Sequence, residues 1–271
     1  MRYNPVLTIA GSDPSGGAGI QADIKTISAL GCYATTAITA VTVQNTMGVT
    51  GIHSVPADIV VGQIRSVMYD IRPMVVKVGM LNDVATIHAV AEVLAGYCKK
   101  KTLRFLVVDP VMVSTSGSPL MQPDAVKVFC DELMPLATLL TPNVPEAEVL
   151  SGITITDKTS MDEAGDTLLA TGLHAVLIKG GHLESDMTDR LYTSSGVREF
   201  ATRIIDTRNT HGTGCTYSSA IASYLARGCT LEDAITKAKS YITQAIASGS
   251  RMELGHGNGP VNHFYKLQRN L

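Results

Sequence analysis

A chain of 271 residues, 45% hydrophobic and 17% charged, has the make-up of an ordered globular protein able to bury a large core. Its formal net charge of -2 gives no electrostatic case for nucleic acid or for an anionic membrane, so any phosphate must be handled by local groups. The five cysteines (Cys32, Cys98, Cys130, Cys215, Cys229) form no CxxC pair, which argues against a disulfide framework or structural zinc and for a reducing cytoplasm.

Met1-Arg2-Tyr3-Asn4-Pro5 carries neither a signal-peptide pattern nor the start of a membrane span, and residues 1–271 read as one α/β domain. Val6 to Ala10 reads as a strand, followed by the glycine-rich loop Gly11-Ser12-Asp13-Pro14-Ser15-Gly16-Gly17-Ala18-Gly19. Ile20 to Leu30 is a helix stopped by Gly31, and Tyr33 to Gln44 is a buried strand rich in Thr, Val and Ile. Asn45 to Gly51 is a loop or hairpin tip. Helices are expected at Ala57 to Ile71, Val84 to Tyr97, Asp124 to Leu133, Val144 to Leu150 and Asp162 to Thr171. Strands alternate with them at Met74 to Val78, Phe105 to Val108, Ala137 to Leu140 and Ala175 to Ile178. A polar-edged hairpin (Asp189 to Thr193, Val197 to Thr202) precedes two long helices, Thr216 to Ala226 and Leu231 to Ser248. Such alternation predicts a mostly parallel sheet with helices on both faces and ligands at the C-terminal ends of its strands.

The segment Asn209 to Ser218 concentrates the chemistry. Gly212 and Gly214 close a tight turn that opens a helix, and backbone N–H groups at a helix start attract anions. Gly212, Thr213 and Gly214 are therefore candidates to hold a phosphoryl group. The same N–H groups would favour the thiolate of Cys215, a candidate proton acceptor. The first glycine-rich loop matches neither GxGxxG nor a Walker A ending; it implies close approach of backbone to a ligand, or a plain tight turn. Asp23 falls inside the apolar stripe Ile20, Ile24, Ile27, Leu30, where a carboxylate needs a partner: a ligand, or loop N–H groups. Gln44 ends an apolar strand, and its amide suits the edge of a heterocycle or the loop backbone equally well. Met80 reads as core filler or a ligand contact.

Asp109, Asn143 and Glu146 stand at or just beyond neighbouring strand ends, an oxygen set that suits Mg²⁺ and its waters. Asp109 reads equally as a turn before Pro110, and Asn143 with Glu146 as a helix capping box. In Lys179-Gly180-Gly181-His182 the lysine either reaches a nucleotide phosphate or marks a solvated loop. His182, His211, His256 and His263 lack metal-ligand spacing; His211 adjoins the Gly212 turn and is the one with a claim on the pocket.

Taken in order, Ala10-Gly11-Ser12-Asp13 through Lys25, Val43-Gln44-Asn45-Thr46, Val78-Gly79-Met80 and Asp109-Pro110-Val111-Met112 resemble the ribokinase-like superfamily. So do Thr141-Pro142-Asn143 to Ala147, Lys179 to His182, His211 to Thr216 and Gly259 to His263. Within the superfamily they are similar to the hydroxymethylpyrimidine/phosphomethylpyrimidine kinases of thiamine synthesis, which share a cysteine where most of the superfamily has an aspartate. The sister pyridoxal kinases share that cysteine but tend to lack the Gln-Asn-Thr found at Gln44-Asn45-Thr46.

The resemblance implies an ATP-dependent cytoplasmic kinase that acts on 4-amino-5-hydroxymethyl-2-methylpyrimidine and then on its monophosphate. It implies a pyrimidine pocket of Gly11, Asp23, Gln44 and Met80. Asp109 and Glu146 would hold Mg²⁺, directly or through water. Lys179 and Asn143 would serve the nucleotide and Cys215 would act as base. A homodimer is expected. The alternatives are a pyridoxal or pyridoxine kinase and a non-catalytic vitamin-binding protein on the same scaffold.

Overall fold

The computed structural model describes residues 3–114, 116–180 and 188–267. A nine-stranded sheet runs through it in the order β3-β2-β1-β4-β5-β6-β7-β8-β9. In chain order the strands are β1 (Pro5–Ser12), β2 (Tyr33–Asn45), β3 (Gly48–Ser54), β4 (Val75–Val78), β5 (Phe105–Val108), β6 (Leu139–Leu140), β7 (Ala175–Ile178), β8 (Asp189–Thr193) and β9 (Gly196–Phe200). Neighbours from β2 across to β7 pair in parallel. The two edges are antiparallel, with β3 on β2 and the β8–β9 hairpin on β7.

The helices are α1 (Gly19–Ala29), α2 (Ala57–Asp70), α3 (Val84–Lys99), α4 (Pro123–Val128), α5 (Val144–Ser151), α6 (Lys158–Ala170), α7 (Thr213–Ala226) and α8 (Leu231–Gly249). Strand side chains alternate between two faces, and the core divides accordingly. Leu7, Ile9, Val76, Val78, Leu106 and Val108 pack into one cluster with residues of α2, α3 and α6. Val6, Val75, Val107, Leu139 and Leu177 pack on the other side with α1, α7 and α8. The expected mostly parallel sheet with helices on both faces is the one found.

Three local expectations need correction. The segment read as a hairpin tip begins a strand at Gly48, because Gly48 pairs with Asn45 and the antiparallel ladder continues to Ser54. The helix after Pro123 does not keep an α ladder to Leu133: Phe129–Leu133 is a π turn, which seats Phe129 and Leu133 in the core. Ile24 of the predicted stripe is exposed, and the buried face of α1 is instead Ile20, Ala22, Asp23, Thr26 and Ile27.

Chain order runs from β1 to β2 on one side of the sheet, then returns to place β4 on the other side of β1. That reversal opens a crevice beyond the C-terminal ends of β1 and β4, the usual ligand position in an open α/β sheet. The loop after β1 and Met80, just past β4, stand at it.

Candidate functional site

The strand ends converge on a cavity of about 660 Å³. Gly11, Gln44 and Met80 line it, as do Asp109, Asn143, Glu146 and Lys179. The Gly212-Thr213-Gly214-Cys215 turn lines it too: His211, just before the turn, reaches Asp13 of the first loop at 2.8 Å, while a Cβ built on Gly214 would lie 3.4 Å from Lys179 Nζ. Eleven of the twelve residues singled out as site candidates thus share one wall system. Asp23 is the exception.

Asp23 lies beneath the pocket, 0% exposed. Lys77 Nζ donates to both its oxygens, at 3.0 and 2.9 Å, Ser219 Oγ donates to Oδ1 at 2.6 Å, and Thr8 Oγ1 donates to Oδ2 at 2.5 Å. The expected ligand contact is replaced by a buried ion pair, because Thr8 and Lys77 are register partners on the face that α1 and α7 cover. Burial alone would lower the Lys77 pKa; Asp23, with Cys215 and Asp109 nearby, holds it above its ordinary value instead. Lys77 is the main residue missed in the sequence. Its signal was there: a lysine within the otherwise apolar Val75–Val78, facing a carboxylate in an apolar stripe.

The glycine-rich loop closes on its own aspartate. Asp13 accepts hydrogen bonds from the N–H groups of Ser15 (2.8 Å), Gly17 (3.2 Å) and Ala18 (2.8 Å), from Ser15 Oγ (2.7 Å) and from His211 (2.8 Å). Burial opposes its ionisation, yet these donors hold the carboxyl well below its ordinary value. The close backbone approach inferred for this loop is therefore to another part of the chain. A Cβ on Gly17 would overlap the His211 ring, and one on Gly212, which sits at φ 77°, would overlap the Gly17 carbonyl.

α7 begins at that turn with Gly212 as its N-cap and no side-chain cap, and α1 likewise begins uncapped after Ala18. α2 and α4 also lack a side-chain cap but do not line the cavity, whereas α3, α5, α6 and α8 each start with one. Thr213 needs correction within the cradle. Its N–H donates to the Thr210 carbonyl at 3.1 Å, which leaves Gly214 and Cys215 to present the N–H groups of the first turn.

Cys215 also departs from expectation. The helix start was expected to favour its thiolate, but burial pushes the thiol up to about 11. Lys77 and the Gly19 N–H pull the other way, Asp23 and Asp109 add to the rise, and burial prevails. The cysteine is half-buried, and all five cysteines are unpaired.

Lys179 Nζ lies 2.8 Å from Asp109 Oδ1, which Thr141 Oγ1 also approaches at 3.1 Å; Ser218 Oγ reaches Asp109 Oδ2 at 3.2 Å. Asp109 is held below the ordinary carboxylate range: burial would raise it, but Lys179 and Lys77 outweigh burial. Asn143 and Glu146 form the capping box of α5, each accepting the other's N–H at 2.9 Å. Burial raises Glu146 to about 7, with Lys179 opposing and the Asp109 charge adding to the rise. Two buried carboxyls that repel across a pocket wall suit a hard cation completed by water and phosphate oxygens. Among the described residues no group of three His, Cys, Asp or Glu stands ready to ligate a metal alone. Gly181 and His182 of the Lys179-Gly180-Gly181-His182 motif lie outside the described residues. No helix among those described is long and apolar enough to cross a membrane.

Residues 13–262 match the family model for phosphomethylpyrimidine kinase. A hydroxymethylpyrimidine/phosphomethylpyrimidine kinase of Rhizobium meliloti (strain 1021) is 47% identical over 96% of this chain and 97% of its own length. The crystal structure of a phosphomethylpyrimidine kinase from Clostridium difficile 630 superposes with a TM-score of 0.79 at 44% identity, over 90% of this chain and all of that one. A Staphylococcus aureus pyridoxal kinase in complex with AMP-PCP and pyridoxal gives a TM-score of 0.88 at 31% identity, over 99% of this chain and 96% of that one. The α/β fold is thus the ribokinase-like one, and the chain belongs to the phosphomethylpyrimidine kinase family.

Proposed function

We infer that this protein transfers phosphate from ATP to 4-amino-5-hydroxymethyl-2-methylpyrimidine and then to its monophosphate, making the diphosphate used in thiamine biosynthesis. The observation that carries the residue-level reading is the uncapped start of α7, with Gly214 against the Asp109–Lys179 pair and Cys215 open to the same cavity. Gln44 and Met80, beside Gly11, would receive the pyrimidine. The Gly214 and Cys215 N–H groups, at the turn shaped by Gly212 and Thr213, would meet charge developing on the transferring phosphoryl group. Lys179 would pair with the nucleotide phosphates, and Asn143 would line their path.

Asp109 and Glu146 would hold Mg²⁺, through water where their oxygens are already engaged. When bound, that ion would neutralise phosphate charge. Asp23 acts from beneath, fixing Lys77 and tying α1 to α7 through Ser219. Cys215 would take the hydroxymethyl proton in the first transfer only, since the second acceptor is already a phosphate. Its thiol is mostly protonated at neutral pH, and a loose transition state asks for little base strength. The unpaired cysteines support a cytoplasmic setting, and a homodimer is the assembly to test by sedimentation.

The test is a kinase assay with purified protein, ATP and each alcohol. The expected result is turnover of the pyrimidine and of its monophosphate, with kcat/KM for the pyrimidine above that for pyridoxal. The likeness to a pyridoxal kinase makes that comparison the decisive one. A reversed preference would move the protein to vitamin B6 salvage. Tight pyrimidine binding without ATP turnover would make it a binding protein.

A further inference from the structure

The hydrogen bonds around Gln44 contain two conflicts that resolve together. Gln44 Nε2 lies 3.5 Å from His211 Nε2, and Gln44 Oε1 lies 3.1 Å from Thr42 Oγ1. Asp13 Oδ2 sits 2.8 Å from the same His211 nitrogen. An ionised carboxylate has no proton to give, so His211 Nε2 must carry one and donate it. Two N–H groups then face each other at 3.5 Å. At the other end, the single Thr42 hydroxyl proton is shared between Gln44 Oε1 and the Ser12 carbonyl, 3.0 Å away.

Turning the Gln44 amide by 180° removes the N–H to N–H clash and settles the Thr42 proton. Its oxygen then faces the His211 N–H, which donates chiefly to Asp13 at 2.8 Å and attracts the amide oxygen as a weaker second acceptor at 3.5 Å. Its NH₂ donates to Thr42 Oγ1, whose proton goes to Ser12. His211 (6% exposed) and Thr42 (4% exposed) are buried and cannot trade these partners for bulk water.

We propose that Asp13, acting through His211, and Ser12, acting through Thr42, lock the Gln44 amide in this one orientation and thereby set which heterocycle edge the pocket accepts. The proposal rests on the pyrimidine-kinase reading above. An amide so held offers an acceptor beside a donor, the order that matches a ring amino group next to a ring nitrogen. A 4-aminopyrimidine presents that edge. The 4-oxo analogue presents the reverse, a carbonyl oxygen beside N3–H. Bidentate pairs of this kind discriminate by about 1–3 kcal/mol, roughly 5- to 150-fold. His211 and Asp13 are thus positioning residues for specificity.

The test compares kcat/KM for 4-amino-5-hydroxymethyl-2-methylpyrimidine and for its 4-oxo analogue in wild type, His211→Phe and Thr42→Val. Wild type should prefer the amino compound strongly. Each variant frees the amide to turn, so the ratio should shrink by about tenfold as the amino compound loses and the oxo compound holds or gains. ¹⁵N NMR of histidine-labelled wild type should find His211 protonated at Nε2, and thermal unfolding checks that each variant is folded. A ratio that stays constant while both rates fall together would assign these residues to packing alone and overturn the proposal, as would an unprotonated Nε2. If one variant does not fold, the other and the NMR signal still decide. Failure of wild type to phosphorylate the amino compound would instead overturn the function itself.

Discussion

Two lysine–aspartate pairs lie near each other in this sheet, with the same chemistry and opposite uses. Lys77–Asp23 is sealed: 2.9 Å apart, with both side chains 0% exposed. Lys179–Asp109 is as close, at 2.8 Å, but Lys179 is 15% exposed and lines the cavity. The first pair sits within the layers, Lys77 inside β4 and Asp23 on α1, and hydroxyls of Thr8 and Ser219 complete its hydrogen bonds. The second sits one residue beyond β5 and β7, where strands end and the cavity begins. A charge pair at a strand end can serve a ligand; one residue-pair deeper, under two helices, it can only hold the layers in register.

The largest expected effect breaks the sealed pair. Lys77→Met leaves Asp23 charged and uncompensated in the core, and should cost about 3–5 kcal/mol, read as a fall in the urea midpoint at unchanged slope. Lys179→Met should cost about 1–2 kcal/mol, since cavity water can reach Asp109, while kcat/KM falls by about 10²–10³. The comparison is broken if the ranking reverses: a stability loss at Lys179 matching that at Lys77, or a folded Lys77 variant with the larger catalytic defect.

Much of this contrast was legible in the sequence. Strands ending in Asp109, in Thr141-Pro142-Asn143 and in Lys179 pointed to one sheet edge because parallel strands end on one side. Asp23 was legible as a carboxylate in an apolar stripe, but not its partner. Whether Lys77 or a ligand answers it depends on the β1–β4 register, which places Lys77 beside Thr8, and no local pattern carries that pairing. The Asp13–His211 contact, 198 positions apart, was out of reach for the same reason. At Cys215 the dipole of a helix start, worth about 0.3–1 kcal/mol at exposed sites, does not overcome desolvation.

Cys215 stands where both pairs act on it, and it gives the next largest effect. Cys215→Ala should lower kcat for the first phosphorylation by about 10²-fold, the low end for a general base, and leave the second within about tenfold. Equal losses in the two steps would remove the proton-acceptor role and leave the N–H groups of the turn as the whole contribution.

The smallest effect is the pH dependence that separates the thiol from its surroundings. With the folded pKa raised from 9.0 to about 11, the protonated form dominates throughout neutral pH, and the thiolate fraction grows about tenfold per unit below 11. First-step kcat/KM should therefore keep rising from pH 7 to 9 without a plateau, and Cys215→Ala should lack that component. The sign for stability runs the opposite way. A raised pKa favours the folded state fully below 9.0, and this contribution is lost as pH climbs through 11, so wild type should weaken there more than the alanine variant. A plateau in the rate near pH 8 would mean that bound substrate brings Lys77 into control of the sulfur. The sealed pair would then serve catalysis after all.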